Sequence, residues 1–285
     1  MNALRANPTT GEVFLRLLAP HENIIITPPR ESDAADLVLI LNDPKVYKFL
    51  VGPPIPYHLH HAEEWLEMTK KDSDEALEDL RKGKIVVGGC PVQHTREVRS
   101  DGTEFLLGDV PVAKNGWTDV TDEDLREKMT KENLEKPDGD HSIVWRIGGA
   151  LRNAVGLPCA VVLTSADYLR PSHHGKGIMS AAVGAVIKQW MVPHLNAHNI
   201  RTDVFEGNPG SVRVFEKNGF KLLESVRVKW PGPGGGRIQG MHVLEWERPR
   251  ENEEVAQLIA ALPGGVWPCL VAAVSPPSLD PSSAC

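Results

Sequence analysis

The segment Tyr168-Leu169-Arg170-Pro171-Ser172-His173-His174-Gly175-Lys176-Gly177-Ile178-Met179-Ser180 constrains the fold more than any other stretch of the chain. A β-type run ends at a proline, a short glycine-bearing loop turns, and Ala181-Ala182-Val183-Gly184-Ala185-Val186-Ile187 carries on as a helix. In the first turn of such a helix the amide N–H groups have no acceptor within the helix, and they carry the positive end of its dipole. The turn is therefore a cradle for an anion. Gly175 and Gly177 permit positive φ and close approach of a ligand to the backbone, and Lys176 adds a cation. Alone, Gly-Lys-Gly before a helix is more often an ordinary tight connection than a ligand site.

A second element follows. Residues 201–206 read as a strand that leads into Gly207-Asn208-Pro209-Gly210-Ser211-Val212-Arg213-Val214-Phe215-Glu216-Lys217-Asn218-Gly219-Phe220. Pro209 suits a first helical turn, Val212 and Phe215 share a face, and Asn218-Gly219 supplies a left-handed end with Phe220 packing back. Asn208 leaves the strand, where its amide can hold a ligand's peptide-like groups or simply cap the helix.

Together the two segments resemble the GNAT superfamily of acetyl-CoA-dependent N-acetyltransferases, in the branch similar to ribosomal-protein and small-molecule amine acetyltransferases. The resemblance is strong over 161–246 and weaker over 24–71. His174-Gly175-Lys176-Gly177-Ile178-Met179 occupies the family's Q/R-x-x-G-x-G/A coenzyme loop, with histidine and methionine as departures, and Asn208, Ser211, Phe215, Glu216, Lys217, Gly219 and Phe220 match its N-x-x-S-x-x-x-Y/F-E-K-x-G-F element. The resemblance implies an α/β (α+β) fold, a mixed and mostly antiparallel sheet flanked by helices and splayed at the strand before the loop. It implies acetyl-CoA as cosubstrate, without a metal, held by Leu169, His174, Gly175, Lys176, Gly177, Ile178, Met179, Ser180, Asn208, Ser211, Phe215 and Lys217. The acceptor is an amine of a small molecule or protein.

An alkylammonium with a pKa of about 10 must lose a proton before it attacks a thioester. Base candidates are Asp167, Glu206, Asp203 and His173, with Asp167 and Glu206 preferred. The resemblance places an oxyanion donor among the backbone N–H groups around 168–170. It also puts Phe215 where the family often carries a tyrosine that protonates the departing thiolate; a free thiol pKa of about 8.5 makes that acid dispensable. Phe215 and Met179 keep a second class in view, a coenzyme A-binding sensor that has lost catalysis.

Composition excludes other classes. Acidic residues outnumber basic ones, 38 to 31, for a net charge of −7, so nothing suggests a general affinity for nucleic acid or anionic membranes. Cys90, Cys159, Cys269 and Cys285 are scattered without C-x-x-C spacing, which argues against a disulfide scaffold or zinc knuckle and for a reducing compartment. With no basic start followed by an apolar run, the cytosol, or the nucleus, is expected. His58, His60 and His61 with Glu64, and His194 with His198, are read as surface histidines rather than metal ligands, and Trp145, Trp190 and Trp246 as core.

The expected organisation is an N-terminal arm at 1–23, one acetyltransferase-like domain at 24–248, and a largely disordered tail at 249–285 with one short helix. Within the domain, strands are expected at 24–27, 85–87, 96–98, 104–112, 141–147, 159–169, 220–229 and 239–246. A turn near Gly156 separates the fifth and sixth, and an open loop, 231–236, joins the last two. Helices are expected from Ser32 to Leu41 and over 61–71. A charged, solvated surface insertion with one helix is expected at 118–140.

Overall fold

The computed structural model describes residues 4–50, 52–148, 150–152, 163–165, 167–230 and 237–249. One sheet is built from β1 (Arg5–Ala6), β2 (Val13–Arg16), β3 (Ile24–Thr27), β4 (His94–Val98) and β5 (Glu104–Asp109). The chain then forms β6 (Val112–Lys114), β7 (Val144–Ile147), β8 (Ala150–Arg152), β9 (Leu163–Ser165), β10 (Tyr168–Leu169), β11 (Asn199–Phe205), β12 (Lys221–Trp230) and β13 (Arg237–Glu247). The first sheet has the order β1-β2-β3-β4-β5-β10 and is antiparallel throughout; the second has the order β12-β13-β11-β7-β6, in which the β7–β11 pair is parallel. This is the mixed, mostly antiparallel α/β architecture expected.

The sheets meet along a continuous line. Val110 and Pro111 connect β5 to β6, and Val112 pairs with Ile147 while Asp109 pairs with Tyr168. The Gly148 N–H donates to the Pro111 carbonyl at 3.0 Å. Register then sets Asp167 level with Val110, so β7 and β10 run as one strand along β5–β6, and residues 149–166 leave and re-enter between Gly148 and Asp167. The antiparallel β8–β9 pair, with Ala150 against Ser165, forms the base of that excursion. Of the strands expected at 141–147 and 159–169, the first is β7; in the second, 163–165 is β9 in a separate two-stranded sheet and 168–169 is β10, in line with β7. Residues 159–162, the turn near Gly156, the 231–236 loop and the tail from 250 lie outside the described residues.

Two further expectations change. The 1–23 arm contains β1 and β2; Leu15, opposite Ile26, and Leu17, just past β2 with its N–H on the Ile24 carbonyl, alternate into the core and are fully buried. Ile85-Val86-Val87 has no strand partner; Ile85 is exposed, while Val87 packs in the core and donates its N–H to the His194 carbonyl.

Helices cover both faces. α1 (Ala34–Leu41), α2 (Pro44–Tyr47) and α3 (Leu59–Arg81) pack with Tyr57, Leu106 and Tyr168 on one face. α3 runs past the expected 71 because Ser73 and Ala76 stay on its buried side. α4 (Glu123–Leu134) lies in the expected insertion but is anchored there: buried Asn133 donates to the carbonyls of Asn115 and Val144 and accepts the Val144 N–H. On the opposite face α5 (Ile178–Val186) widens into a π turn at Ile187–Met191, continues as α6 (Val192–His194), and packs with α7 (Pro209–Glu216) around Trp145, Ile147, Trp190 and Phe215. Leu106 and Leu107, adjacent on β5, point to these two cores in turn.

Asp33 stitches the α1 layer to the sheet. Its Oδ2 accepts from Arg96 at 2.6 Å, His94 at 2.7 Å and the Arg30 N–H at 2.9 Å, all three side chains of the Asp33–His94–Arg96 cluster being buried, and Arg96 also donates to the Thr27 hydroxyl. Among the described residues no helix is long and apolar enough to cross a membrane.

Candidate active site

β7 and β11 pair in parallel from Asn199/Val144 to Arg201/Arg146, and there the pairing ends although β11 runs on to Phe205. Beyond that point the β7–β10 line and β11 part. The gap between them opens into a cleft of about 660 Å³ walled by the glycine loop, the start of α5, residues 203–205, α7 and residues 45–50 near α2.

The loop is held open on the ligand side. Gly175 and Gly177 have φ of +74° and +81°, the left-handed region that a side chain would strain. A Cβ at Gly175 would meet nothing within 4 Å, and at Gly177 it would meet the His21 ring at 3.5 Å. His174 does not face a ligand with its Nε2, which donates to the Leu169 carbonyl at 2.7 Å and pins the loop to β10. Asn218 donates to the Ser180 carbonyl at 3.0 Å and to Val214, tying the start of α5 to α7. Arg170 closes the other side: its N–H and Nε donate to the carbonyls of Leu107 and Leu106, and its guanidinium pairs with Asp36.

Of the coenzyme-site residues expected from sequence, Leu169, His174, Gly175, Gly177, Ile178, Met179, Ser180, Asn208, Ser211 and Lys217 line the cleft. Lys176 is exposed at the loop tip and does not line it. Phe215 does not line it either; it is fully buried in the core, edge-on to Phe220 at 5.1 Å, because a residue on the inner face of so short a helix is drawn under α5. Asn208 caps α7, its Oδ1 accepting the Ser211 N–H at 3.2 Å.

The base candidates separate. Asp167 lines the cleft at the point where the strands part, and burial pushes its carboxyl up to about 6, with the Asp109 charge adding to the rise. Gly148, at φ +68°, makes room for it: a Cβ there would stand 2.7 Å from the Asp167 Oδ1 and 3.5 Å from the Phe215 Cζ. Glu206 is exposed, lies over Gly240 of β13 and does not line the cleft. His173 lines it but pairs with Glu97 at 3.6 Å, and burial together with Lys176 lowers its pKa. Asp203 lines it and is held by Arg146 and the Thr118 hydroxyl. The wall at Lys45, Val46, Lys48, Phe49 and Leu50 was not legible beforehand, since nothing local marks a loop as the far side of a cleft.

The histidines are occupied elsewhere. His194 stacks on Trp190 at 4.4 Å, and His58, His60 and His61 lie ring against ring at the start of α3. Among the described residues no group of three or more histidine, cysteine or carboxylate side chains could hold a metal ion.

The glycine loop and the half-buried Asp167 carboxylate, between two parting strands, share one cleft. Residues 112–221 match the family model described as an acetyltransferase (GNAT) domain. That segment is therefore similar to a GNAT acetyltransferase domain. Among solved structures the chain is similar to a GNAT-family acetyltransferase from Bacillus anthracis, at 14% identity over 82% of this chain and 98% of that one with a TM-score of 0.49. The ribosomal-protein-S5-alanine acetyltransferase from Vibrio fischeri aligns at 15% identity over 79% and 93%, with a TM-score of 0.47. The aminoglycoside acetyltransferase AAC(6')-Ib, with ribostamycin and coenzyme A, aligns at 15% over 79% and 94%, with a TM-score of 0.46. No curated protein sequence matches the chain.

Proposed function

We propose that this cleft transfers an acetyl group from acetyl-CoA to a primary amine of a small molecule or protein by direct attack. The observation that carries the reading is the position of Asp167: a half-buried carboxylate with a pKa raised to about 6, in the same cleft as the glycine loop and at the parting of the strands.

The residues present fit the coenzyme. Two left-handed glycines leave bare backbone facing the cleft, and the first-turn amides of α5 are the donors a diphosphate needs. Gly175, Gly177, Ile178, Met179 and Ser180 would hold it, with Asn208, Ser211 and Lys217 on the α7 side. When bound, acetyl-CoA supplies an acyl group activated as a thioester. Asp167, ionised at neutral pH, takes the proton from the acceptor ammonium. Bonding along β10 supports the Leu169 N–H as the oxyanion donor. The Arg170 N–H is used on Leu107, and in an antiparallel ladder such bonds alternate, so the Leu169 N–H turns away from β5 toward the open side of β10.

The test is the purified protein with acetyl-CoA and a panel of primary amines, followed by thiol release, beside a coenzyme A titration by calorimetry. Amine-dependent release is expected, and Gly177→Val should weaken coenzyme binding at least about tenfold, or about 1.4 kcal/mol. Tight coenzyme binding with no transfer to any amine would turn the reading to a coenzyme A-binding sensor.

A further inference from the structure

We infer that Asp203 selects the acceptor, receiving a cationic amine on its free carboxylate oxygen. This rests on the amine-acetylation reading of the cleft and assigns one wall of it.

Strand alternation sets the geometry. Along β11, Ile200, Thr202 and Val204 turn into the core, while Arg201, Asp203 and Phe205 take the opposite face. Asp167 lies beside Gly148 and Phe215, on the side of α5 and α7. The two cleft carboxylates therefore occupy opposite faces of the gap, Asp167 toward the coenzyme helices and Asp203 away from them.

The carboxylate of Asp203 is divided in its duties. Its side chain is 5% exposed, and Oδ2 accepts from both Arg146 and the Thr118 hydroxyl. Oδ1 is buried and has no hydrogen-bond partner. A buried ionised oxygen without a donor is unfavourable, and nearly all such oxygens in folded proteins are paired. An anchored carboxylate that lines a substrate cleft with one oxygen unused is complementary to an N–H donor carrying positive charge. On the same face of β11, Arg201 is shared between Glu245 at 3.0 Å and Asp119 at 3.6 Å, so those carboxylates are already paired.

The test uses the full chain saturated with coenzyme A, titrated by calorimetry with 1,3-diaminopropane, spermidine and the uncharged 1,3-propanediol. The two amines should bind and the diol should not, and added salt should weaken the amines. Asp203→Asn should weaken amine binding at least about tenfold while coenzyme A affinity stays the same. Thr118→Val, which removes a neutral donor and leaves the charge, should retain amine binding and keeps the test available where the Asn variant fails to fold. Equal amine affinity in Asp203→Asn and wild type, binding of the diol as tight as the diamine, or absence of amine binding to wild type would each overturn the inference. Coenzyme affinity and acetyl transfer, measured separately, report on the proposed reaction itself.

Discussion

Asp167 combines two demands that conflict. As a base it must be ionised, yet its site disfavours the charge, and a carboxyl with a pKa near 6 in the fold against about 3.8 in the unfolded chain costs roughly 3 kcal/mol of stability when ionised. The penalty is absent below the unfolded pKa and complete above pH 6. Asp167→Asn should therefore abolish the rise of kcat/KM with pH around 6 and lower the rate by about 10² or more. The same variant should melt higher than wild type at pH 7, with the gain shrinking as pH falls from 6 toward 4. Rate profiles and thermal melts across pH 4.5 to 8 check both; an unchanged rising limb would remove Asp167 from the mechanism. Phe215 offers a converse test. The point a Gly148 Cβ would occupy lies 3.5 Å from the Phe215 Cζ and 2.7 Å from the Asp167 Oδ1, so Phe215→Tyr extends a phenolic O–H toward the carboxylate. A donor to the ionised form lowers the pKa. The rising limb should move to lower pH, and the rate at pH 5.5 should increase relative to wild type. A limb that stays in place or moves upward would show that the phenol does not reach Asp167.

At the level of elements, the central strand is the unusual part. Its halves, β7 and β10, keep step with β5–β6 across the 149–166 excursion, and Gly148 and Asp167 face each other at the base of that excursion. Joining Gly148 directly to Asp167 therefore preserves every pairing on either side. A variant lacking 149–166 should fold with a single cooperative melt and bind coenzyme A as wild type does, measured by circular dichroism and calorimetry; loss of the melt would show that the two halves depend on the excursion for alignment. This strand also shows what the sequence could and could not disclose. The loop at 168–180 and the helix at 209–216 were legible because glycine, proline and Asn-Gly act within a few residues of themselves. The continuity of Ile147 with Tyr168 was not, since it exists in the register with β5–β6 and leaves no local trace. Leu15 and Leu17 escaped for the same reason, while Ile85-Val86-Val87 looked like a strand on β-branching alone and has no partner. Asp203 was readable as a cleft carboxylate candidate, but which oxygen is occupied depends on Thr118 and Arg146, distant in sequence.

Within residues 4–248 two helical layers clasp a split sheet, and the clasps differ in chemistry. The α5–α7 layer is held by an apolar core around Trp145, Trp190 and Phe215, which has no charge to lose as pH falls. The α1–α3 layer has an apolar core too, but its junction with the sheet passes through Asp33, which bridges the start of α1 to His94 and Arg96 on β4. Burial alone would raise the Asp33 pKa; the hydrogen bonds and charges of His94 and Arg96 outweigh it and hold the carboxyl well below the usual carboxylate range. A depressed carboxylate contributes stability that is complete above its unfolded pKa of about 3.8 and is lost as pH falls from there toward the folded value. Wild type should therefore lose melting temperature progressively below pH 4. Asp33→Asn leaves Arg96 buried without its counter-charge and should cost about 3–5 kcal/mol at pH 7. The gap between variant and wild type should then narrow as pH is lowered below 4, because acid removes from the wild type what the substitution has already removed. Urea unfolding at pH 7, 5, 4 and 3 measures that gap directly. A gap that is constant across the series would show that Asp33 stabilises the junction by shape and neutral hydrogen bonding, and not through its charge.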